Sequence, residues 1–186
     1  MIIEISATIF GLIQGILVML NKRSNWLFYI IQMLLLVIFS FINHLYGDVV
    51  NNCIYVLIGV VGFITWKNKE SSNITVASMK EKIIYMLIII IGTTMLSIIL
   101  KRTNDPLPIL DSFTTITSFI ATFYMIKKKI DAWIIWFIND LSYAIEYFLL
   151  PNQAFYLFAL NIIWSFMAIG SYITWNKIMK GEYKYD

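Results

Sequence analysis

Between Asp131 and Tyr147 the chain reads DAWIIWFINDLSYAIEY. Spacings of three and four residues stay in register on a helix, so Trp133, Trp136, Asp140, Tyr143 and Tyr147 share one face. Two indoles and two phenols then flank a single carboxylate. Such a stripe suits a flat ring that is cationic or polar, because aromatic faces attract cations and a buried anion orients them. The alternative is ordinary helix packing, with Asp140 satisfying a neighbouring hydroxyl, and the segment alone leaves both open. The segment is apolar enough for a membrane helix, where a bare charge costs several kcal/mol, so Asp140 and Glu146 both need a reason to be there. Glu146 lies nearer the end of the segment and can snorkel to water.

Other polar groups occur at matching depth: Gln32, Asn52, Tyr55, Asp111, Thr115, Asn161 and Trp164. An amide in an apolar setting is costly unless paired, so Asn52 and Asn161 require either a partner helix or a ligand. Trp164 follows Asn161 by three residues and shares its face. Asp111 comes just after Pro106 and Pro108 and opens a helix, where a carboxylate complements the dipole and caps free amides. Glu4 stands in the like place at the amino-terminal end. Gly59 and Gly62, three apart, allow close helix contact, and Tyr46-Gly47-Asp48 reads as a turn. No nucleophile elbow, phosphate loop or paired metal ligands occur. With one cysteine, Cys53, and one histidine, His44, there is no disulfide, thiolate centre or zinc site to consider. The residues argue against an enzyme and require no cofactor.

The elements that hold these groups follow from composition. Of the 186 residues, 60% are hydrophobic and 13% charged, and the mean hydropathy is +0.77. That is the range of an all-α integral membrane protein, whose partner is the lipid bilayer. The net charge of +3 comes from short basic clusters between apolar runs, with no continuous basic face for nucleic acid. Glu4 precedes the first apolar run and Lys22 and Arg23 follow it, the wrong order for a cleaved signal, so the first run is expected to remain as a spanning helix. A span needs about 20 mostly apolar residues, and seven stretches qualify: 3–20, 26–43, 49–66, 83–100, 107–126, 132–150 and 154–175. The alternation of a membrane β-barrel is missing, so all seven read as helices. The segment KNKESSNITVASMKEK, Lys67 to Lys82, reads as an exposed loop. Twelve of the 14 basic residues fall on one side of successive helices, which by the positive-inside rule puts the amino terminus outside and the carboxyl terminus in the cytoplasm.

The first three helices resemble the last three. At an offset of 107, Glu4 falls on Asp111, Lys22 on Lys129, Trp26 on Trp133 and Gln32 on Asn139. At an offset of 109, Asn52 falls on Asn161, Tyr55 on Trp164, Thr65 on Thr174 and Trp66 on Trp175. Three helices reverse the chain, so two such units run parallel only if one further span separates them. The helix at 83–100, with no charge and no tryptophan, supplies it. The expectation is a 3+1+3 parallel repeat: residues 1–66 form the first bundle, 67–106 a cytoplasmic loop and linker helix, and 107–186 the second bundle with a cytoplasmic tail. Parallel repeats recur among transporters that hold substrate near the midplane.

Several pieces in order resemble the Pnu-type vitamin transporters: Leu45-Tyr46-Gly47-Asp48; Gly62-Phe63-Ile64-Thr65-Trp66; Leu110-Asp111-Ser112 with Thr114-Thr115 and Ser118; and Lys127-Lys128-Lys129 before Trp133-Ile134-Ile135-Trp136 with Asn139-Asp140. The resemblance covers nearly the whole chain. It implies two three-helix bundles joined by a linker helix, similar to the SWEET sugar transporters, and assembly as a homo-oligomer, often a trimer, in a bacterial cell membrane. It further implies facilitated diffusion of an unphosphorylated vitamin, foremost nicotinamide riboside, which a cytoplasmic kinase then traps. The substrate region would be Trp133, Trp136, Asn139, Asp140 and Tyr143, with Asn161 and Trp164, and Gln32, Asn52 and Tyr55 in the first half. The family commonly has glutamine at the place of Asn52 and Trp or Tyr at that of Phe63, which bears on substrate identity. Thiamine is the next candidate, being also a cation with an aromatic ring. Riboflavin and deoxynucleosides follow, and a proton-coupled symporter using Asp140 is the mechanistic alternative.

Overall fold

The computed structural model describes residues 2–42, 46–68, 74–103, 105–150 and 155–183. His44, Leu45 and the side chains of Glu4 and Tyr46 to Asp48 lie outside what is described. Seven α-helices follow one another: α1 (Ile2–Met19), α2 (Asn25–Ile42), α3 (Tyr46–Thr65), α4 (Met79–Leu100), α5 (Pro108–Ile126), α6 (Ala132–Leu149) and α7 (Phe155–Met179). None departs from its expected stretch by more than about four residues at either end. Tyr46, Gly47 and Asp48 form the first turn of α3, so the turn expected there belongs to the helix. α4 begins four residues early because Ser78 caps it: the Ser78 hydroxyl accepts from the Glu81 N–H at 3.2 Å while Glu81 Oε2 accepts from the Ser78 N–H at 2.7 Å. That reciprocal pair is the capping box written in the sequence as Ser-x-x-Glu.

Length and hydropathy alone qualify four stretches among the described residues as membrane spans, Asn25–Ile42, Met79–Leu100, Pro108–Ile126 and Leu157–Met179. Ile5–Met19 and Val49–Thr65 are apolar but shorter. The expectation of seven spans is thereby reduced on this criterion, and α6 is outside it because it carries Asn139, Asp140 and Glu146. The exposed faces are apolar: on α4, Ile83, Ile84, Met86, Leu87, Ile90 and Ile91 all face outward, as lipid contact demands.

The chain divides into two compact units, residues 1–73 with 178–186, and residues 74–177. In the first, α2 packs against both α1 and α3. A Cβ on Gly62 would lie 2.5 Å from the Trp26 indole, and one on Gly59 would lie 2.7 Å from Ile30 Cγ1, so bare backbone is what lets α3 approach α2. Trp26, 1% exposed, meets Trp66 edge to face at 5.7 Å. Arg23 closes the end of the bundle: its Nε donates to the Phe63 carbonyl at 2.9 Å, and its guanidinium lies 3.7 Å from the Phe63 ring centroid.

In the second unit α5 packs against α4 and α6. Tyr85 of α4 contacts Phe123 and Tyr124 of α5 with ring centroids 5.7 and 4.7 Å apart. The buried hydroxyls of α5 turn back on their own helix, as in Thr117 to the Phe113 carbonyl at 2.6 Å and Thr122 to that of Ser118 at 2.8 Å. A polar face is thereby made tolerable in an apolar setting. Trp133 of α6 meets Trp175 of α7 edge to face at 5.3 Å. The residues before α4 are no free loop. Thr75 forms a parallel bridge with Lys129, through Thr75 N–H to the Lys128 carbonyl at 3.0 Å and Ile130 N–H to the Thr75 carbonyl at 2.9 Å. Ile74 and Ala77 are buried, which corrects the exposed loop expected across Lys67 to Lys82.

The turn after the first helix of each triplet is the same turn. Asn21 and Lys128, related by the offset of 107, both have φ of 53°. Asn21 N–H donates to Val18 O and Lys22 N–H to Leu17 O, both at 2.9 Å; Lys128 N–H donates to Met125 O and Lys129 N–H to Tyr124 O, also at 2.9 Å. The helix starts match too, Trp26 N–H to Arg23 O at 3.2 Å and Trp133 N–H to Ile130 O at 3.1 Å.

Candidate functional site

α6 carries the candidate stripe. Its first turn is held by the Asp131 carbonyl, which accepts from Ile134 and Ile135 at 3.1 and 3.2 Å. Trp133 is packed on Trp175, and neither its Nε1 nor that of Trp136, both buried, has an acceptor among the described residues. Tyr143 and Tyr147 stack at 6.0 Å with rings 14° from parallel. Asn139 is fully buried and donates from Nδ2 to the Thr114 carbonyl at 2.7 Å and to Thr117 Oγ1 at 2.6 Å. Its amide is thus oriented by α5, leaving Oδ1 without a partner among the described residues. Asp140, next along, is 8% exposed, and no donor reaches its carboxylate among the described residues. Burying an unpaired carboxylate is costly. An acceptor-rich, donor-bearing stripe between aromatic rings is what a polar or cationic ring could satisfy.

Glu146 does not behave as a snorkelling surface acid, since Thr114 Oγ1 donates to its Oε2 at 3.2 Å and ties α6 to α5. Asp111 lies in the first turn of α5, where a carboxylate suits the helix dipole, and it accepts from Thr115 Oγ1 at 3.4 Å; among the described residues it makes no capping bond. The Leu107 N–H is taken instead by Asp105 Oδ1 at 2.8 Å. On α7, Asn161 turns its Nδ2 back to the Leu157 carbonyl at 2.8 Å, and Trp164 is half-buried. Ring contacts between α6 and α7 include Trp133 on Trp175 and Phe148 on Phe158.

In the first unit, Gln32 of α2 fills the space left by Gly11 of α1, its Nε2 2.6 Å from where a Cβ at Gly11 would stand. Asn52 Nδ2 reaches Ser40 Oγ at 3.5 Å, a long bond between α3 and α2. Tyr55 meets Tyr29 edge-on at 6.4 Å, and Tyr29 meets Trp26 at 5.7 Å. Tyr29 belongs to this group and sequence reasoning did not single it out. The signal was present, for the offset of 107 that pairs Trp26 with Trp133 puts Tyr29 on Trp136. Thr114 and Thr117, which orient Asn139, were likewise not assigned; only three-dimensional pairing reveals them.

Comparison with known proteins gives three concordant results. A family model described as nicotinamide mononucleotide transporter matches residues 1–177. A protein from Neisseria mucosa named nicotinamide riboside transporter PnuC is 23% identical over 188 residues, spanning 94% of this chain and 72% of that one. A crystal structure titled as that of the vitamin B3 transporter PnuC is similar with a TM-score of 0.75 and 22% identity, covering 96% of this chain and 82% of its own.

Proposed function

This chain belongs to the nicotinamide mononucleotide transporter family, and from that premise we propose that it carries nicotinamide riboside across a bacterial cell membrane by facilitated diffusion. The observation that supports the reading most is the face of α6 on which Trp133 and Trp136 precede Asp140, whose buried carboxylate meets no donor among the described residues. Nicotinamide riboside offers a flat cationic ring to stack on indole and to be attracted by that charge. On this reading Asn139 and Tyr143 continue the stripe, and Asn161, Trp164, Gln32, Asn52 and Tyr55 are further candidate substrate residues. The chain follows a 3+1+3 plan of two three-helix repeats and a linker helix, and copies of it associate as a homo-oligomer. A cytoplasmic kinase phosphorylates the arriving nucleoside, and the added charge prevents its return.

Purified protein in vesicles should equilibrate labelled nicotinamide riboside with no imposed proton or sodium gradient. Uptake strictly dependent on such a gradient would overturn the uniport reading. The burial of Asp140 also suits a proton relay, so Asp140→Asn separates the two mechanisms. In a uniporter it raises the half-saturating concentration and leaves the final inside-to-outside ratio at one. In a symporter it abolishes accumulation while exchange survives. Competition by thiamine, the other cationic ring, ranks the two vitamins.

A further inference from the structure

Asp131 is 7% exposed, and both of its carboxylate oxygens are engaged. Oδ2 accepts from the Ala77 N–H at 2.6 Å, and Oδ1 pairs with Lys82 Nζ at 2.8 Å. Beside it, Lys129 Nζ lies 3.3 Å from Glu81 Oε2. Together with the bridge at Thr75, these contacts strap residues 74–77 and the first turn of α4 onto the turn between α5 and α6. The same Asp131 supplies, through its carbonyl, the first bonds of α6. Trp133 follows two residues later. The position related to Asp131 by the offset of 107 is Ser24, which has the same backbone bonds to Leu27 and Phe28 but no carboxylate. The turn at Ser24 thus forms without a carboxylate at that place, and at Asp131 the carboxylate adds the bonds of the strap to a turn of the same form.

We infer that Asp131 is a positioning residue: by gripping the strap and Lys82 it fixes the first turn of α6, and through that turn the placement of the Trp133 to Tyr143 stripe. The inference rests on the proposal that this stripe receives the ligand. A charge-assisted pair of bonds on a buried carboxylate, here with the Lys82 side chain 44% exposed, is the kind of support that holds a helix end at one height and rotation, and small misplacements of a binding group weaken binding steeply.

The test compares Asp131→Ala, Asp131→Asn, Lys82→Met and the Asp131→Asn/Lys82→Met double variant in the full-length protein, by nicotinamide riboside uptake into vesicles and by amide hydrogen exchange. Asp131→Ala should raise the half-saturating concentration roughly tenfold, with the maximal rate per folded molecule changing much less. Exchange should quicken in peptides covering 74–78 and 132–136. Asp131→Asn keeps an acceptor for Ala77 and should shift half-saturation less. Lys82→Met should match it, and the double variant should add nothing further, because both changes break the same pair. An unchanged half-saturation in Asp131→Ala, additive effects in the double variant, or unaltered exchange at 132–136 would overturn the inference. If Asp131→Ala does not fold, the Asp131→Asn and Lys82→Met series decides it. A wild type that takes up no nicotinamide riboside would refute the transport reading, while the exchange comparison still decides whether Asp131 holds α6.

Discussion

Gly62 is a position where one methyl group would do much harm. An added Cβ would lie 2.5 to 2.6 Å from three atoms of the Trp26 indole, and that indole is itself wedged against Trp66. Gly62→Ala should therefore destabilise the protein by roughly 1–3 kcal/mol, read as a fall in the midpoint of thermal unfolding in detergent. A midpoint unchanged from wild type would mean that the indole can move aside. The role of Gly62 was legible in the sequence, because two glycines three apart in an apolar helix signal close approach. Asn139 shows the opposite case. Its position on the stripe follows from spacing, but its commitment to Thr114 and Thr117 depends on which helix lies beside it, and no local pattern states that. Asn161 is similar, for its bond to Leu157 stays within its own helix.

Helix limits were readable because every apolar run except that of α2, which closes at Asn43-His44, ends at a charge cluster or a proline. The strap was not. Lys67 to Lys82 is polar in composition, and the short β-branched run Ile74-Thr75-Val76 that forms the bridge is too brief to outweigh it. The turn at Asn21 and Lys128 makes the clearest test of the correspondence between the triplets. A φ of 53° is tolerable for asparagine, costs other side chains roughly 1–2 kcal/mol, and is worst for β-branched residues. Asn21→Val should lower stability by about 1–2 kcal/mol, and Lys128→Val by less on this ground because lysine already bears part of the cost, both measured by thermal unfolding. If only one of the two does so, the turns are alike in form but not in energetic weight.

For the molecule in its membrane, the charge distribution makes a prediction about sides. Cys53 is the one cysteine and is exposed, so its replacement by serine leaves a background free of thiols. Lys101→Cys in that background should react with an impermeant maleimide on intact cells. Lys67→Cys and Lys127→Cys should react only after the cells are opened. The reverse pattern would invert the topology. Membrane class was plain from composition, whereas in α6 the polar side chains of Asn139, Asp140 and Glu146 lower the very index that detects a span. Finally, the bonds shared at Asn21 and Lys128 bear on how the chain leaves a helix. A left-handed residue with this pair of bonds closes many helices, so the chain leaves α1 and α5 along the same path, and side chains as different as Ser24 and Asp131 can follow it without altering that path.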